Sequence, residues 1–226
     1  MPPAAPRFSA HTLKFLRGLK RNNRRDWFNA HRDDYETHVR GPMTVIVERL
    51  ANDFRSFAPE LVASPKISMY RIYRDTRFSE NKAPYKTHAA AVFPTRGLRK
   101  HEGAGLYFHV SHEDVWIGGG MYSPQPQQLH AIREHIAANV QQMRAIVESP
   151  AFTDRVTLEG EKLTRVPRGF DKDHDAAEYL KFRHFIAGAE FPAELAASPK
   201  FYSTVLSIFR SVIPLSRFLN APLVRT

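Results

Sequence analysis

Apolar residues recur at three- and four-residue spacing as far as residue 57, which predicts a helical N-terminal part. A first helix is predicted over residues 9–20, with Ser9 at its N-cap. Asn23 is expected to cap a second helix that runs to about Arg40, where Gly41-Pro42 ends it and begins a third. The apolar stripe of the third helix comprises Met43, Ile46, Val47, Leu50, Phe54 and Phe57.

After Pro65 the apolar residues alternate with a period of two, which predicts strands. Residues 67–74 carry apolar side chains on both faces, so this strand is expected inside a sheet. A second strand is predicted over residues 88–93. A tight turn at residues 111–114 then joins strands over 106–110 and 115–117 into an antiparallel hairpin.

Helical spacing returns after the glycine run at residues 118–120, and a long helix is predicted from Ser123-Pro124. The remaining predictions are a short strand or turn over 156–163, a loop over 167–175, and helices near 176–186 and 192–211. Helices, then strands, then helices predict an α+β fold. It has N-terminal helices, a central and mainly antiparallel sheet, a long helix after the sheet and C-terminal helices.

The length of 226 residues suits one domain over residues 1–226, with residues 1–7 as a disordered tail. The absence of cysteine excludes disulfides, thiolate metal sites and cysteine nucleophiles. No apolar run reaches the roughly 18 residues that a membrane span needs, and the first residues lack the apolar region of a signal peptide. A cytoplasmic protein with no membrane partner is therefore expected.

Lys and Arg outnumber Asp and Glu by 33 to 23, which favours anionic partners. Much of this charge is concentrated in one segment, where only Asp75 and Glu80 oppose it; its cations are Arg71, Arg74, Arg77, Lys82 and Lys86. Such a cluster pairs with acids elsewhere in the fold, binds a small anion, or contacts a nucleic-acid backbone. A bend at residues 74–77 would bring Arg74, Arg77 and Lys82 together.

Two further residues complete the candidate ligand site. Tyr85 offers a hydroxyl or a stacking face beside Lys86, and His109 is the best candidate acid or base because it lies on a strand beside aromatic residues. The predicted ligand-binding residues are Arg71, Arg74, Arg77, Lys82, Tyr85, Lys86 and His109. The histidines lack the His-Glu-x-x-His spacing of a zinc site, so neither a metal nor a cofactor is predicted.

The glycine run at residues 118–120 has two interpretations. It would bind an anion together with the start of the following helix, or it would allow a close approach between packed strands. Its spacing matches neither the dinucleotide-binding nor the P-loop pattern.

Several motifs follow one another along the chain. They are Asn22-Asn23 with Arg25 and Trp27-Phe28; residues 71–79, Arg-Ile-Tyr-Arg-Asp-Thr-Arg-Phe-Ser; Lys82 with Pro84-Tyr85-Lys86; Gly119-Gly120, Pro124 and Arg133; and Gly169-Phe170 with Asp173-His174. In this order they resemble domain of unknown function family 2461, and the resemblance extends from about Phe8 to Leu219. It implies a single cytoplasmic α+β domain of a kind found in bacteria and fungi, and it assigns no activity.

The residues themselves favour a protein that binds a small phosphorylated or carboxylated ligand in a basic pocket, either as an enzyme or as a binding protein. The alternative is a non-catalytic module that binds nucleic acid or a protein partner through a basic face. Its nucleic-acid contacts would include Arg24, Arg25, Arg96 and Arg99.

Overall fold

A computed structural model describes residues 5–100 and 102–224, so the tail predicted over residues 1–7 lies partly outside the described residues. The chain forms two compact units. The first comprises the described residues up to Val92, together with Tyr107–Ile117 and Glu190–Leu206. The second comprises Phe93–Leu106, Gly118–Ala189 and the described residues from Ser207 onward. One domain over the whole chain stays a prediction.

The first predicted helix is confirmed as α1 (Ala10–Arg21), with Ser9 at its N-cap. The Ser9 N–H donates to Thr12 Oγ1 at 3.2 Å, which satisfies a backbone donor at the helix start. Leu16 and Leu19 are fully buried, as their spacing predicts.

The helical chain after α1 continues through Gly41-Pro42, where the sequence predicted a break. It comprises α2 (Arg25–Ala30), α3 (Arg32–Tyr35), a π-helical turn (Glu36–Arg40) and α4 (Gly41–Phe57). Pro42 has no N–H to offer the His38 carbonyl four residues earlier. The Thr12 hydroxyl donates to that carbonyl instead, at 2.5 Å, so the helix passes the proline without leaving an unpaired acceptor.

The apolar stripe of α4 is confirmed, with Phe57 half-buried at its end. Its fully buried members are Met43, Ile46, Val47, Leu50 and Phe54.

The strand predicted over residues 67–74 is wrong. Ser64 and Pro65 start a single helical turn, α5 (Pro65–Ser68), because Ser64 Oγ accepts a hydrogen bond from the Ile67 N–H. The following residues run as an irregular hairpin with two isolated bridges, Met69 with Ala91 and Tyr73 with Tyr85. Ile67 and Tyr73 are each 44% exposed, so this segment is not covered on both sides.

The described residues contain a five-stranded antiparallel sheet in the order β1-β2-β3-β5-β4. Its strands are β1 (Ala89–Pro94), β2 (Gly105–Val110), β3 (Asp114–Met121), β4 (Thr157–Glu159) and β5 (Phe185–Pro192). The predicted β2–β3 hairpin is confirmed. Between β4 and β5, Leu158 pairs with Ala187 in antiparallel register.

A helix was predicted near residues 176–186, and β5, for which no strand was predicted, begins at the last two of these residues. Only one helical turn, α9 (Ala177–Leu180), precedes the strand. The Ala and Glu residues of β5 have helical preference. Pairing with β4 overrides it, and Phe185 and Ala187 are buried in the alternation of a strand.

The glycine run lengthens β3 as far as Met121, so the next helix, α6 (Pro126–Ala138), begins later than predicted. A Cβ at Gly119 would collide with the Gly105 carbonyl oxygen. Gly120 has a φ of +118°, and a Cβ there would collide with the Phe185 carbonyl oxygen. These contacts support the close approach of strands as the role of the run.

The predicted long helix is divided at Asn139 into α6 and α7 (Val140–Val147). The Asn139 side-chain amide donates to the His135 carbonyl at 2.9 Å, a bond that competes with the backbone hydrogen bonds of a helix. The remaining helices are a short α8 (Pro150–Thr153), a 3-10 turn (Ala193–Ala197) and α10 (Phe201–Asn220). None of the described helices is long and apolar enough to cross a bilayer.

The β2–β3 hairpin has two chemically different faces. Phe108, Val110 and Val115 are fully buried on one face, and the Phe108 ring lies 6.0 Å from that of Phe201. On the other face Tyr107, His109, Asp114 and Trp116 are half-buried. The polar face therefore positions chemical groups on a rigid support.

Candidate basic pocket and histidine row

The basic cluster lies on the irregular hairpin that follows α5. The Arg74 N–H donates to the Pro84 carbonyl at 2.9 Å, and the Lys86 N–H donates to the Ile72 carbonyl at 2.8 Å. Asp75 Oδ1 accepts from the Arg77 N–H at 3.2 Å, a local bond of the kind that favours a turn. The chain therefore bends after Arg74, as predicted.

Asn23 holds the returning arm of this hairpin. Its Oδ1 accepts from the Tyr85 N–H at 3.0 Å, and its Nδ2 donates to the Tyr85 carbonyl at 2.9 Å. The prediction that Asn23 caps a helix is wrong, because Arg24 occupies the N-cap of α2. The side-chain amide acts as the neighbouring backbone of a strand would.

Phe28 fixes the Tyr85 ring from α2. The two rings stack with centroids 4.2 Å apart and an interplanar angle of 18°. Tyr73 lies against the same pair, at 5.4 Å from Tyr85 and 6.2 Å from Phe28. These contacts set the aromatic wall of a pocket between the hairpin and α2.

The pocket has a volume of about 310 Å³ and is open to solvent. It is lined by Arg25, Asn29, Tyr73, Arg74, Thr76, Pro84 and Tyr85. Its size is within the range of small-molecule sites. Two guanidinium groups and two phenol rings therefore meet at one opening.

Within residues 5–100 and 102–224, neither Arg25 nor Arg74 has a carboxylate at ion-pair distance. Arg74 donates to the Ala83 carbonyl and to Ser79 Oγ, each at 3.3 Å, which orients its guanidinium. Both partners are neutral, so the positive charge of Arg74 remains uncompensated by these contacts.

Arg77 differs from Arg74 in this respect. Its guanidinium forms two hydrogen bonds to the Asp75 carboxylate, Nε to Oδ1 at 3.0 Å and Nη2 to Oδ2 at 2.7 Å. The hydrogen bonds from Arg77 lower the pKa of Asp75 to about 2. For Arg77 the contacts therefore match the interpretation in which the cations of the basic cluster pair with acids of the fold. They do not match it for Arg74.

The other predicted cations lie outside the pocket lining. Lys82 Nζ donates to the Thr76 carbonyl at 3.0 Å, and Lys86 Nζ donates to the Arg71 carbonyl at 3.0 Å. Lys86 Nζ also lies 4.9 Å from the centre of the Tyr70 ring. Of the predicted ligand residues, the hairpin thus brings only Arg74 and Tyr85 into the pocket.

The Tyr85 phenol stays neutral over the physiological range. Burial raises its pKa, with a further contribution from Tyr73, and the charges of Arg25 and Arg32 only partly oppose this. A neutral phenol contributes no negative charge that would repel an anion.

His109 belongs to a separate row on the polar face of the β2–β3 hairpin. Its Nδ1 lies 3.1 Å from the Tyr107 hydroxyl, and its Nε2 lies 2.8 Å from Asp114 Oδ2. Ser111 Oγ donates to the other carboxylate oxygen of Asp114. In the part of the chain that the structure describes, no group of three or more His, Asp or Glu side chains is arranged to hold a metal ion.

Arg25 and Asn29 line the pocket but were not among the predicted ligand residues. Arg25 was assigned to the nucleic-acid alternative, and Asn29 carried no signal of its own. The motif Asn22-Asn23-x-Arg25 was visible in the sequence, but its meaning depends on Asn23 holding Tyr85. That contact joins residues 62 positions apart.

The helices and the antiparallel sheet define an α+β protein. The chain belongs to the conserved hypothetical protein family DUF2461, which matches residues 11–218. The resemblance inferred from the sequence motifs is thereby confirmed. A comparison with curated proteins finds no match.

Proposed function

We propose that this protein binds a small phosphorylated or carboxylated ligand in the pocket between α2 and the basic hairpin. The observation that supports the proposal is the pair Arg25 and Arg74, which line one pocket without a carboxylate partner among the described residues. Uncompensated guanidinium groups at one opening favour an anion with two or more oxygen atoms.

The guanidinium of Arg74 is suited to orienting the ligand. A guanidinium has five N–H donors, and Arg74 uses its two terminal nitrogens for Ala83 and Ser79 at 3.3 Å. These are long bonds to neutral acceptors, and an anionic oxygen forms shorter and stronger ones. The existing contacts hold the side chain in place for the ligand.

The aromatic wall of the pocket indicates which chemical group the ligand carries besides its anionic group. Tyr73 is 44% exposed beside the pocket, and Pro84 adds an apolar surface. A planar ring that stacks on Tyr73 would gain contact that inorganic phosphate lacks. We therefore expect a nucleotide or an aromatic carboxylate to bind more tightly than phosphate.

The test is thermal denaturation and calorimetric titration with phosphate, adenosine 5′-monophosphate and benzoate. A ligand at about 100 times its Kd should raise the free energy of unfolding by about 2.7 kcal/mol and Tm by roughly 5–10 °C. Arg74→Ala and Arg25→Ala should each weaken binding about tenfold or more, because each removes a charged hydrogen-bonding group.

Arg77→Ala is the matched control. Arg77 has the same charge on the same hairpin, but it is paired with Asp75 and lies outside the pocket lining. Its removal should leave the Kd within about twofold of the wild type. An equal loss in the Arg77→Ala and Arg74→Ala proteins would mean that general charge, rather than the pocket, binds the anion.

A second candidate function is favoured by the tip of the same hairpin. Phe78 is 95% exposed, and the Arg77 guanidinium lies 5.7 Å from the centre of its ring. Exposed aromatic and basic side chains together bind single-stranded nucleic acid through stacking and phosphate contacts. Of the predicted nucleic-acid contacts, Arg24 and Arg99 are paired with Asp26 and Glu102.

Fluorescence anisotropy with a single-stranded oligonucleotide separates the two functions. Nucleic-acid binding predicts an affinity that falls steeply with salt and that weakens about tenfold in the Phe78→Ala protein. Binding of adenosine 5′-monophosphate to the Arg25→Ser/Arg74→Ser protein is measured in parallel. An affinity that does not change between low and moderate salt rejects this alternative.

A further inference from the structure

Three polar residues on the β2–β3 hairpin form a continuous hydrogen-bonded row. Tyr107 and His109 lie two residues apart on β2, so they share one face of the sheet. The Tyr107 hydroxyl contacts His109 Nδ1 at 3.1 Å, and His109 Nε2 contacts Asp114 Oδ2 at 2.8 Å. The order is phenol, imidazole, carboxylate.

The turn between the strands fixes the carboxylate. Ser111 Oγ donates to Asp114 Oδ1 and accepts from the Asp114 N–H at 3.0 Å. The Ser111 N–H donates to the Asp114 carbonyl at 2.9 Å. Asp114 therefore reaches His109 from a rigid turn that positions its second oxygen.

The direction of each hydrogen bond follows from the charge of Asp114. Burial opposes its ionisation, but the hydrogen bonds from Ser111 and His109, together with the electrostatic contributions of His109 and His88, lower the pKa of Asp114. An ionised carboxylate only accepts, so the hydrogen of a neutral His109 is on Nε2. Nδ1 then has only a lone pair, and the Tyr107 hydroxyl donates to it.

A second histidine, His88, lies beside the imidazole of His109. The His88 ring lies 5.4 Å from that of His109, and burial, with the nearby His109 and Lys86, lowers the pKa of His88 to about 4. His88 is therefore neutral at pH 7. Lys86 and Asp114 are the charged groups that act on His88.

Two aromatic rings flank the phenol. The Tyr107 ring lies 6.4 Å from Tyr70 and 5.8 Å from Trp116, and all three side chains are half-buried. They form an aromatic surface next to the hydroxyl that the row polarises. A small ring compound is the chemical class that such a surface accepts.

We propose that Tyr107, His109 and Asp114 form a proton-transfer site that acts on a hydroxyl group of a small ring compound bound against Tyr70 and Trp116. The hydroxyl proton of the compound moves to Tyr107 Oη, and the phenol proton moves to His109 Nδ1. Asp114 stabilises the imidazolium that forms. Protons are conserved and no electron is transferred: the compound is left as an oxyanion while the imidazole becomes an imidazolium. The reverse transfer restores the resting row, with a neutral imidazole beside the ionised Asp114.

The site makes a prediction that needs no knowledge of the substrate. Phenylmethanesulfonyl fluoride reacts with an activated phenol: the Oη–S bond forms, the S–F bond breaks, fluoride leaves and the phenol proton passes to His109. Peptide mass spectrometry measures the rate at each tyrosine. We expect Tyr107 to react on the order of 100-fold faster than Tyr122, which is 80% exposed and serves as the internal reference.

Asp114→Asn separates activation from structure. Asparagine retains an oxygen acceptor for Ser111, but its amide donor faces His109 and favours the other imidazole tautomer. Labelling of Tyr107 should fall at least tenfold, while labelling of Tyr122 stays unchanged and circular dichroism shows the wild-type fold. Tyr107→Phe should remove the fast reaction entirely.

Wild-type protein supplies an independent measurement. Nitrogen-15 NMR at pH 8 should show His109 with hydrogen on Nε2 and none on Nδ1. A hydrogen on Nδ1, or a Tyr107 rate no higher than that of Tyr122, overturns the proposal. Neither readout involves Arg25 or Arg74, so failure here is distinguishable from failure of the anion pocket.

Discussion

The side-chain amide of Asn23 forms both of its hydrogen bonds with the backbone of one residue, Tyr85, at 3.0 and 2.9 Å. Through them, the start of α2 determines where the returning arm of the basic hairpin lies. Phe28 stacks on the Tyr85 ring at the same place. The position of Arg25 beside Arg74 therefore depends on a neutral asparagine.

Asn23→Ala should destabilise the protein by about 2 kcal/mol, because the Tyr85 N–H and carbonyl lose their side-chain partners. Urea denaturation measures the change. Asn29→Ala is the control, since Asn29 is exposed and should change stability by less than about 0.5 kcal/mol. Equal effects of the two substitutions would contradict the role given to Asn23.

Asn220 plays the same part in the second unit, and it is buried. Its Oδ1 accepts from the Ala104 N–H at 2.7 Å, and its Nδ2 donates to the Ala104 carbonyl at 2.8 Å and to Thr95 Oγ1 at 2.9 Å. Asn220→Leu should cost about 3 kcal/mol or more, because buried backbone groups are left unpaired. A loss below about 1 kcal/mol in urea denaturation would show that these groups find other partners.

Gly120→Ala should destabilise the sheet by at least about 2 kcal/mol, because its positive φ disfavours a side chain and the new Cβ meets the Phe185 carbonyl oxygen. Gly97→Ala is a matched control. Gly97 also has a positive φ, +85°, but a Cβ there has open space. Its cost should be limited to backbone strain of about 1 kcal/mol. Thermal denaturation of both variants separates strain from collision.

His88 should make stability depend on pH. Its pKa is lowered from 6.5 to about 4 in the folded protein, chiefly by burial. Between these values the unfolded chain binds the proton and the folded chain does not, so stability falls as pH decreases from 6.5 towards 4. The accumulated loss is about 3 kcal/mol. Above pH 7 the residue makes no contribution of this kind.

Urea denaturation at pH 7.5, 5.5 and 4.5 checks this dependence in the wild type and in His88→Gln. The neutral glutamine should remove the part of the slope that belongs to His88. A His88→Gln protein with the wild-type slope would assign the pH dependence to other groups.

Much of the architecture was predictable because its causes are local. The stripes of α1 and α4 and the alternation and turn of the β2–β3 hairpin depend on residues within a few positions of one another. The Arg77–Asp75 pair is equally local, but its geometry decides which arginine is neutralised. The strand β5 was missed because its pairing with β4 joins segments that are distant in sequence. The strand predicted over residues 67–74 was wrong because capping by Ser64 outweighed the periodicity.

The α+β class, the family and the concentration of positive charge in one segment follow from the sequence alone. The three-dimensional contacts were needed to show that Arg74 has no carboxylate partner among the described residues and that Arg25 lines the same pocket. They were also needed to show that Tyr107, His109 and Asp114 form one row. Periodicity records which side of an element is buried, whereas a site depends on contacts between distant segments. The Asn23–Tyr85 bond, across 62 positions, is the contact that converts the basic hairpin into one wall of a pocket.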